Sequence, residues 1–267
     1  MHENQTLSQR IERAMASQQV EKLHGIHNYL HAKNYCAEEW TEIWSRSDDT
    51  SWAHGFGRMR GFDQIWHNSV TMYDYSAYES YMELVKLFPE IGGLDPRPVM
   101  ELSMHTLVNG IVEVAEDGSS ARTSYVTPGI LYDCINNMCV KRCMSFWERY
   151  GSDFVLEDGH WKYLHEHVCP DFGMPLDVAN AASGEYAMAA DPQDRMPPPP
   201  PAGRDDRVEL ADPGPLHQKY SIFQPIQNTV PWPEPYETMD DDNSYAPGHN
   251  DITSRYSALE SIVKQGR

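Results

Sequence analysis

The chain has 267 residues, 40 acidic side chains against 21 basic ones, a net charge of -19 and an apolar content of 40%. That length suits one or two domains around an ordinary core. The acidic excess argues against a nucleic-acid partner, which needs Lys and Arg to neutralise phosphates, and against anionic membrane surfaces. No run approaches the ~18 apolar residues of a membrane span. The polar start MHENQTLSQR lacks the apolar stretch of a secretory signal. Five scattered cysteines (Cys36, Cys134, Cys139, Cys143, Cys169) suit a reducing, cytoplasmic compartment.

Leu7 to about Lys33 reads as one amphipathic helix, with Ile11, Met15, Leu23, Ile26 and Leu30 as its inward face. Ala37 to Trp44 is a second, short helix carrying Trp40, Ile43 and Trp44 on one side. Asp48 to Phe56 contains a short strand, and Gly61 to Phe88 is helical again, with Phe62, Ile65, Trp66, Val70 and Tyr73 turned inward. Pro89, Gly92, Gly93, Pro96 and Pro98 then break the pattern.

From Val99 the period becomes that of strands. Met100 to Ala115 is one strand, Glu116-Asp117-Gly118-Ser119 a tight turn, and Ser120 to Tyr132 its return. Val140 to Leu156 follows, and Glu157-Asp158-Gly159 turns it into His160 to Cys169. Helices first and long antiparallel strands after them make an α+β layout, a curved sheet folded over the helices.

Met174 to Arg267 holds 14 of the 19 prolines, with Pro197 to Pro201 in one run, and 15 acidic against 7 basic residues. Composition therefore divides the chain into a domain over 1–173 and an acidic, proline-rich arm over 174–267. The arm carries Tyr220, Phe223, Trp232, Tyr236 and Tyr245, more aromatic anchors than a solvated linker keeps. It is expected to pack on the domain or, with Tyr220 to Tyr245, across a subunit boundary.

Four stretches, in this order, carry a family resemblance: HNYLHAKNYCAEEWTEIW, FGRMRGFDQIWHN, MHTLVNGIVEVAEDGSSARTSYV and the hairpin YGSDFVLEDGHWKYLHEHVC. Together they resemble the SnoaL-like, ketosteroid-isomerase-like superfamily of the nuclear transport factor two-like fold, over about Glu21 to Phe172. The resemblance implies a cone-shaped α+β barrel, its curved antiparallel sheet wrapped around the N-terminal helices to enclose a deep apolar pocket. It also implies chemistry without cofactor or metal, among relatives that include isomerases, dehydratases, cofactor-free lyases and non-enzymatic binding or assembly modules. The fold leaves the reaction open.

The resemblance sets Tyr29 where related dehydratases carry a catalytic tyrosine, and a phenol can stabilise a developing oxyanion. The carboxylate those enzymes carry five residues later is Asn34 here, which can orient a substrate but not take its proton. Tyr29 can equally be a core tyrosine with a bonded hydroxyl. His105, at the mouth of a strand, matches a pocket histidine and is the candidate base, with a backbone-bonded structural histidine as the alternative. Strand alternation puts His165 and His167 on one face with Trp161 and Tyr163, and Lys162, Leu164 and Glu166 on the other. The resemblance turns the histidine face toward the cone; a plain sheet surface is the alternative.

His24, His27 and His31 share one face of the first helix. Such a stripe could chelate zinc, but a solvated or subunit-facing stripe is the simpler reading. Arg58 and Arg60 suit pairing with the acidic arm or with a substrate phenolate. Trp44, Phe56, Tyr125 and Trp147 are expected to line a pocket for a flat substrate.

These residues lead to a cofactor-independent lyase. It would eliminate water or a small carbonyl fragment from a hydroxylated aromatic or polycyclic small molecule, with His105 as base and Tyr29 stabilising oxygen. His165 or Tyr125 would assist, in a homo-oligomer of two or three chains. A ketosteroid-isomerase-like isomerase, a non-catalytic ligand-binding or assembly module, and a metal-dependent enzyme built on the His24 stripe remain alternatives.

Overall fold

A computed structural model describes residues 5–54, 57–72, 101–133 and 142–175, shorter stretches between 78 and 97, and, in the arm, 230, 232–240 and 243–246. Helix α1, Leu7–Ala32, opens on a capping box: the Thr6 hydroxyl accepts from the Gln9 N–H while the Gln9 side chain accepts from the Thr6 N–H. It ends where Asn34 takes a left-handed φ of 56°. Its inward face is not the apolar one expected. Ile11, Met15 and Ile26 are exposed, and Val20, His24 and His27 are buried. Spaced four and three apart, these three meet the sheet on one stripe. The imidazoles tolerate burial because the sheet and α2 supply their hydrogen-bond partners.

Helix α2, Cys36–Ile43, buries Trp40, Ile43 and Glu39. Strands β1, Ser51–His54, and β2, Gly57–Arg60, form a hairpin. Helix α3, Phe62–Trp66, continues as a π-helical turn over His67–Met72. The remainder of the helix expected up to Phe88 is described only at 78, 81–82, 84–86 and 88.

The strand expected over Met100 to Ala115 is two: β3, Glu101–His105, and β4, Val108–Val114. Both pair with β5, Ser120–Asp133, and β4 is bulged between Val108 and Ile111, where Asn109 has a φ of 53°. A bulge of this kind bends a strand, which is how the sheet curls at this edge. Strands β6, Arg142–Glu157, and β7, His160–Pro175, join at Asp158-Gly159. Both of these residues have positive φ (49° and 77°), as a two-residue type I′ hairpin turn requires. The sheet runs β2-β1-β7-β6-β5-β3, with β4 also on β5. One pairing departs from the antiparallel expectation: β1 lies parallel to β7.

A bulge in β7 controls which side chains face the helices. The register passes from Phe154↔Tyr163 to Asp153↔His165, leaving Leu164 as the additional residue. Tyr163 and Glu166 therefore share the inner face, and His165 and His167 turn outward, contrary to plain alternation. Phe146, Glu148, Tyr150, Ser152 and Phe154 of β6 alternate along the same inner face, opposite Thr123 and Tyr125 of β5. The apolar core forms at one end of that face, around Trp40, Trp44, Ile65, Phe154 and Tyr163.

The outer face is partly covered by the described pieces of the arm. Tyr245 and Val230 rest on Gly151, where a Cβ would come within 2.6 and 2.9 Å of them. Asp153 Oδ2 accepts from the Ser244 hydroxyl and the Tyr245 N–H, both at 2.7 Å, and pairs with His165 Nδ1 at 2.9 Å. The buried Arg122 guanidinium lies 4.4 Å from the Tyr245 ring centroid and 5.7 Å from that of Tyr236. Both tyrosines thus pack on this chain's own sheet. Trp232 is 46% exposed, and Tyr220 and Phe223 lie outside the described residues.

Candidate active site

The inner face carries carboxylates and imidazoles where an apolar pocket is expected. Burying a carboxylate costs several kcal/mol unless partners replace its water, so each needs an account. Glu39 of α2 holds His27 at 2.9 Å through one oxygen and His31 at 3.7 Å through the other. Burial works against both charges, but their mutual attraction outweighs it. His27 is raised to about 9 and Glu39 drawn down to about 2, which leaves a persistent ion pair. His24 bridges the Tyr163 hydroxyl and the Thr123 hydroxyl. Burial, then the nearby His27 charge, push it well below the ordinary histidine range, so it stays neutral.

The second constellation is centred on Glu148. Its Oε2 accepts from the Tyr150 hydroxyl at 3.1 Å and lies 3.4 Å from His105 Nδ1, while Oε1 lies 3.2 Å from His54 Nε2. Burial opposes its charge, but hydrogen bonds from the two imidazoles prevail and hold the carboxyl well below its ordinary range. His105 Nδ1 is 2.8 Å from the Tyr150 oxygen and Nε2 is 2.8 Å from the Ser103 hydroxyl. The ionised carboxylate beside Nδ1 favours the proton on that nitrogen, which leaves the Nε2 lone pair toward Ser103. Burial outweighs Glu148 and brings His105 down to about 4. Its ring is 4.8 Å from those of both His31 and Phe146. His31, 35% exposed, connects this cluster to solvent.

Glu166 is the third buried carboxyl. It accepts from Trp52 Nε1 at 3.1 Å and from the Ser152 hydroxyl at 3.4 Å. With burial as the dominant influence, its affinity for a proton is raised.

Of the residues expected at the site, His105 and Tyr125 stand on the inner face. Tyr125 packs with Tyr150 and Val168, and burial pushes its phenol up to about 12. Tyr29 does not join them: it is 75% exposed on the outer side of α1, because the helix turns positions 20, 24 and 27 inward. Asn34 is buried at the end of α1 and donates to the Arg97 carbonyl. Trp44 is core, its ring near those of Trp40 and Tyr163. Trp147 is 40% exposed on the outer face, one residue out of step with the inner positions of β6. His165 and His167 face outward for the reason given by the β7 bulge; His165 serves Asp153 beneath the arm. Phe56 lies outside the described residues, and Arg58 is described only by its backbone pairing with Ala53. The His24, His27 and His31 stripe is neither solvated nor subunit-facing along its length, since His24 and His27 are buried within this chain. Among the described residues, no group of three His, Cys, Asp or Glu has the arrangement to hold a metal ion.

Two N-terminal helices lie against one face of a curled sheet whose last long strand returns to pair with its first. This is the α+β layout read from the sequence, a curved sheet folded over N-terminal helices. No family model matches the chain. Solved structures similar to it include a protein assigned as a scytalone dehydratase from Novosphingobium aromaticivorans, at 13% identity over 65% of this chain and 93% of that one, with a TM-score of 0.44. A nuclear transport factor 2-like protein from Salmonella enterica is 16% identical over 59% and 92%, TM-score 0.41. A LinA-type hexachlorocyclohexane dehydrochlorinase from Novosphingobium barchaimii is 14% identical over 63% and 95%, TM-score 0.42. Among curated proteins, a 113-residue stretch, 42% of this chain, is 22% identical to the mouse choline transporter-like protein 5, of which it spans 14%. Among the described residues, no helix is long and apolar enough to cross a membrane.

The buried carboxylates and His54 of this interior were not expected at the site. Glu148 and Tyr150 were legible, because the run Phe146, Glu148, Tyr150, Ser152, Phe154 alternates within one strand and sets a carboxylate among aromatic positions. Trp52 and His54 alternate in the same manner on β1. Glu39, which meets its imidazole partners only after α1 and α2 pack, carries no such signal. Glu166 was assigned to the wrong face by the unseen bulge.

Proposed function

We propose that the chain is a cofactor-independent lyase that eliminates water or a small carbonyl fragment from a hydroxylated aromatic or polycyclic small molecule, with His105 as the proton acceptor. The observation that carries this reading is the buried Glu148 carboxylate held against His105 and Tyr150. Such a group orients an imidazole and stabilises the positive charge it gains on taking a proton. With its affinity lowered to about 4, His105 is unprotonated across the physiological range. The Ser103 hydroxyl, free to rotate about its own bond, yields Nε2 to a substrate C–H. Tyr150, and not the exposed Tyr29, is the phenol beside the base. Phe146 and His31 flank the imidazole with flat surfaces suited to an aromatic ligand.

Glu166 favours a second reading, an isomerase with a carboxylate base. It is buried on the inner face with a raised proton affinity, as a proton-shuttling carboxylate would be. The test is turnover of β-hydroxy aryl ketones and of β,γ-unsaturated polycyclic ketones, without added cofactor, by the unaltered protein, His105→Gln and Glu166→Gln. The lyase reading expects elimination that His105→Gln loses by about 100-fold or more. Double-bond migration lost only in Glu166→Gln would replace it with the isomerase reading.

We also read the chain as a cytoplasmic homo-oligomer. Leu7, Ile11 and Met15, exposed at four-residue intervals along α1, support a face that a second copy covers.

A further inference from the structure

Glu148 has two oxygens and an imidazole beside each. Oε2 serves His105 and Tyr150; Oε1 lies 3.2 Å from His54 Nε2. His54 ends β1, paired with Gly57 of β2, and is brought to Glu148 because β1 lies beside β7, which lies beside β6. Its ring is held nearly parallel to Trp52, with centroids 5.8 Å apart and an interplanar angle of 17°. Trp52 is itself fixed by its bond to Glu166. The His54 side chain is 24% exposed, against 10% for His105. The two imidazoles are thus not equivalent: one is deep in the interior, and the other sits closer to the rim on the opposite oxygen of the same carboxylate.

An elimination needs both kinds of group. A base must take the C–H proton, and an acid must protonate the departing oxygen, because hydroxide is a poor leaving group. We propose that His54 is that acid: it and His105 bracket Glu148, one on each carboxylate oxygen, and act as proton donor and proton acceptor in one elimination. This rests on the lyase reading above. In the step, His105 takes the proton from carbon and the C–H electron pair becomes the new double bond. The C–O bond breaks, and its oxygen leaves as water with the proton given by His54. His105 has then gained one proton and His54 has lost one. His105 then releases the proton it gained to solvent past the part-exposed His31 ring and His54 takes one up from solvent, so no cofactor or net proton uptake is required. The groups facing the shared carboxylate are His54 from β1, His105 from β3 and Tyr150 from β6 itself.

Two measurements decide the matter. In the full chain labelled at histidine, ring resonances are followed from pH 4 to 9, with His54 and His105 assigned from His54→Gln and His105→Gln. Groups that share a carboxylate titrate as a pair. The expected result is that His105→Gln shifts the midpoint of His54 and that Glu148→Gln abolishes the dependence. A His54 midpoint unchanged by both substitutions overturns the proposal, whatever the substrate proves to be. In turnover of a β-hydroxy aryl ketone, His54→Gln is expected to lower kcat by about 100-fold with little change in KM. It should recover partly on a substrate whose leaving group needs no proton, such as the corresponding β-chloro ketone. Full kcat in His54→Gln with loss in His105→Gln overturns the role of His54 alone; full kcat in both removes the lyase reading beneath it.

Discussion

At the scale of single residues, the interior is organised by carboxylates shared between rings. Glu39 joins His27 to His31, and Glu148 joins His54 to His105 and Tyr150. The first pair predicts a pH dependence of stability. His27 is raised from 6.5 to about 9 in the folded chain, so its contribution is complete below pH 6.5 and disappears as the pH rises through 9. The thermal midpoint should therefore fall between pH 6.5 and 9, and His27→Gln should flatten that slope. An equal slope in the variant would assign the loss to other groups. His105, lowered to about 4, acts in the opposite sense: its contribution is complete above 6.5 and declines as the pH falls toward 4. The alternation of Phe146, Glu148 and Tyr150 was readable as one face of a strand. The pairing of Glu148 with residues 43 and 94 positions away was not, since it exists only once the sheet forms.

At the scale of elements, helix–strand order and hairpin turns were legible because they depend on local chemistry: the unbroken helical period of α1, the prolines after residue 88 and Asp158-Gly159. Facing was not. The inward face of α1 is set by which half of the helix lies on the sheet, and the face of His165 by the bulge at Leu164, a residue with no glycine-like signature of irregularity. The arm depends on the same outward turn. Gly151→Ala would drive a methyl group into Tyr245 and Val230, and we expect a cost of about 1–3 kcal/mol together with faster proteolysis near residue 240. Unchanged stability and cleavage would show that the arm yields without loss. Asp153→Ala should release the arm by a different route, removing the acceptor of Ser244 and Tyr245. Normal protection in that variant would contradict the role of Asp153 as the arm's anchor.

At the scale of the whole molecule, the net charge of -19 combines two unlike parts: a curled sheet with paired charges inside it, and an arm whose described pieces lie on that sheet's outer face. The division near residue 174 was drawn from composition alone. In the structure β7 continues to Pro175, and Val230, Tyr236 and Tyr245 of the arm lie on the outer surface. The two faces of one sheet thus carry different groups, paired carboxylates and imidazoles inside and the contacts to the arm outside, with β7 contributing Glu166 to one and His165 to the other. The measurement closest to the central claim is the primary isotope effect on elimination from a β-hydroxy aryl ketone deuterated at the carbon that loses its proton, in the unaltered protein and in His105→Gln. A clear effect in the unaltered protein and turnover reduced by about 100-fold or more in the variant is the predicted result. Elimination at the same rate in both would contradict His105 as the base.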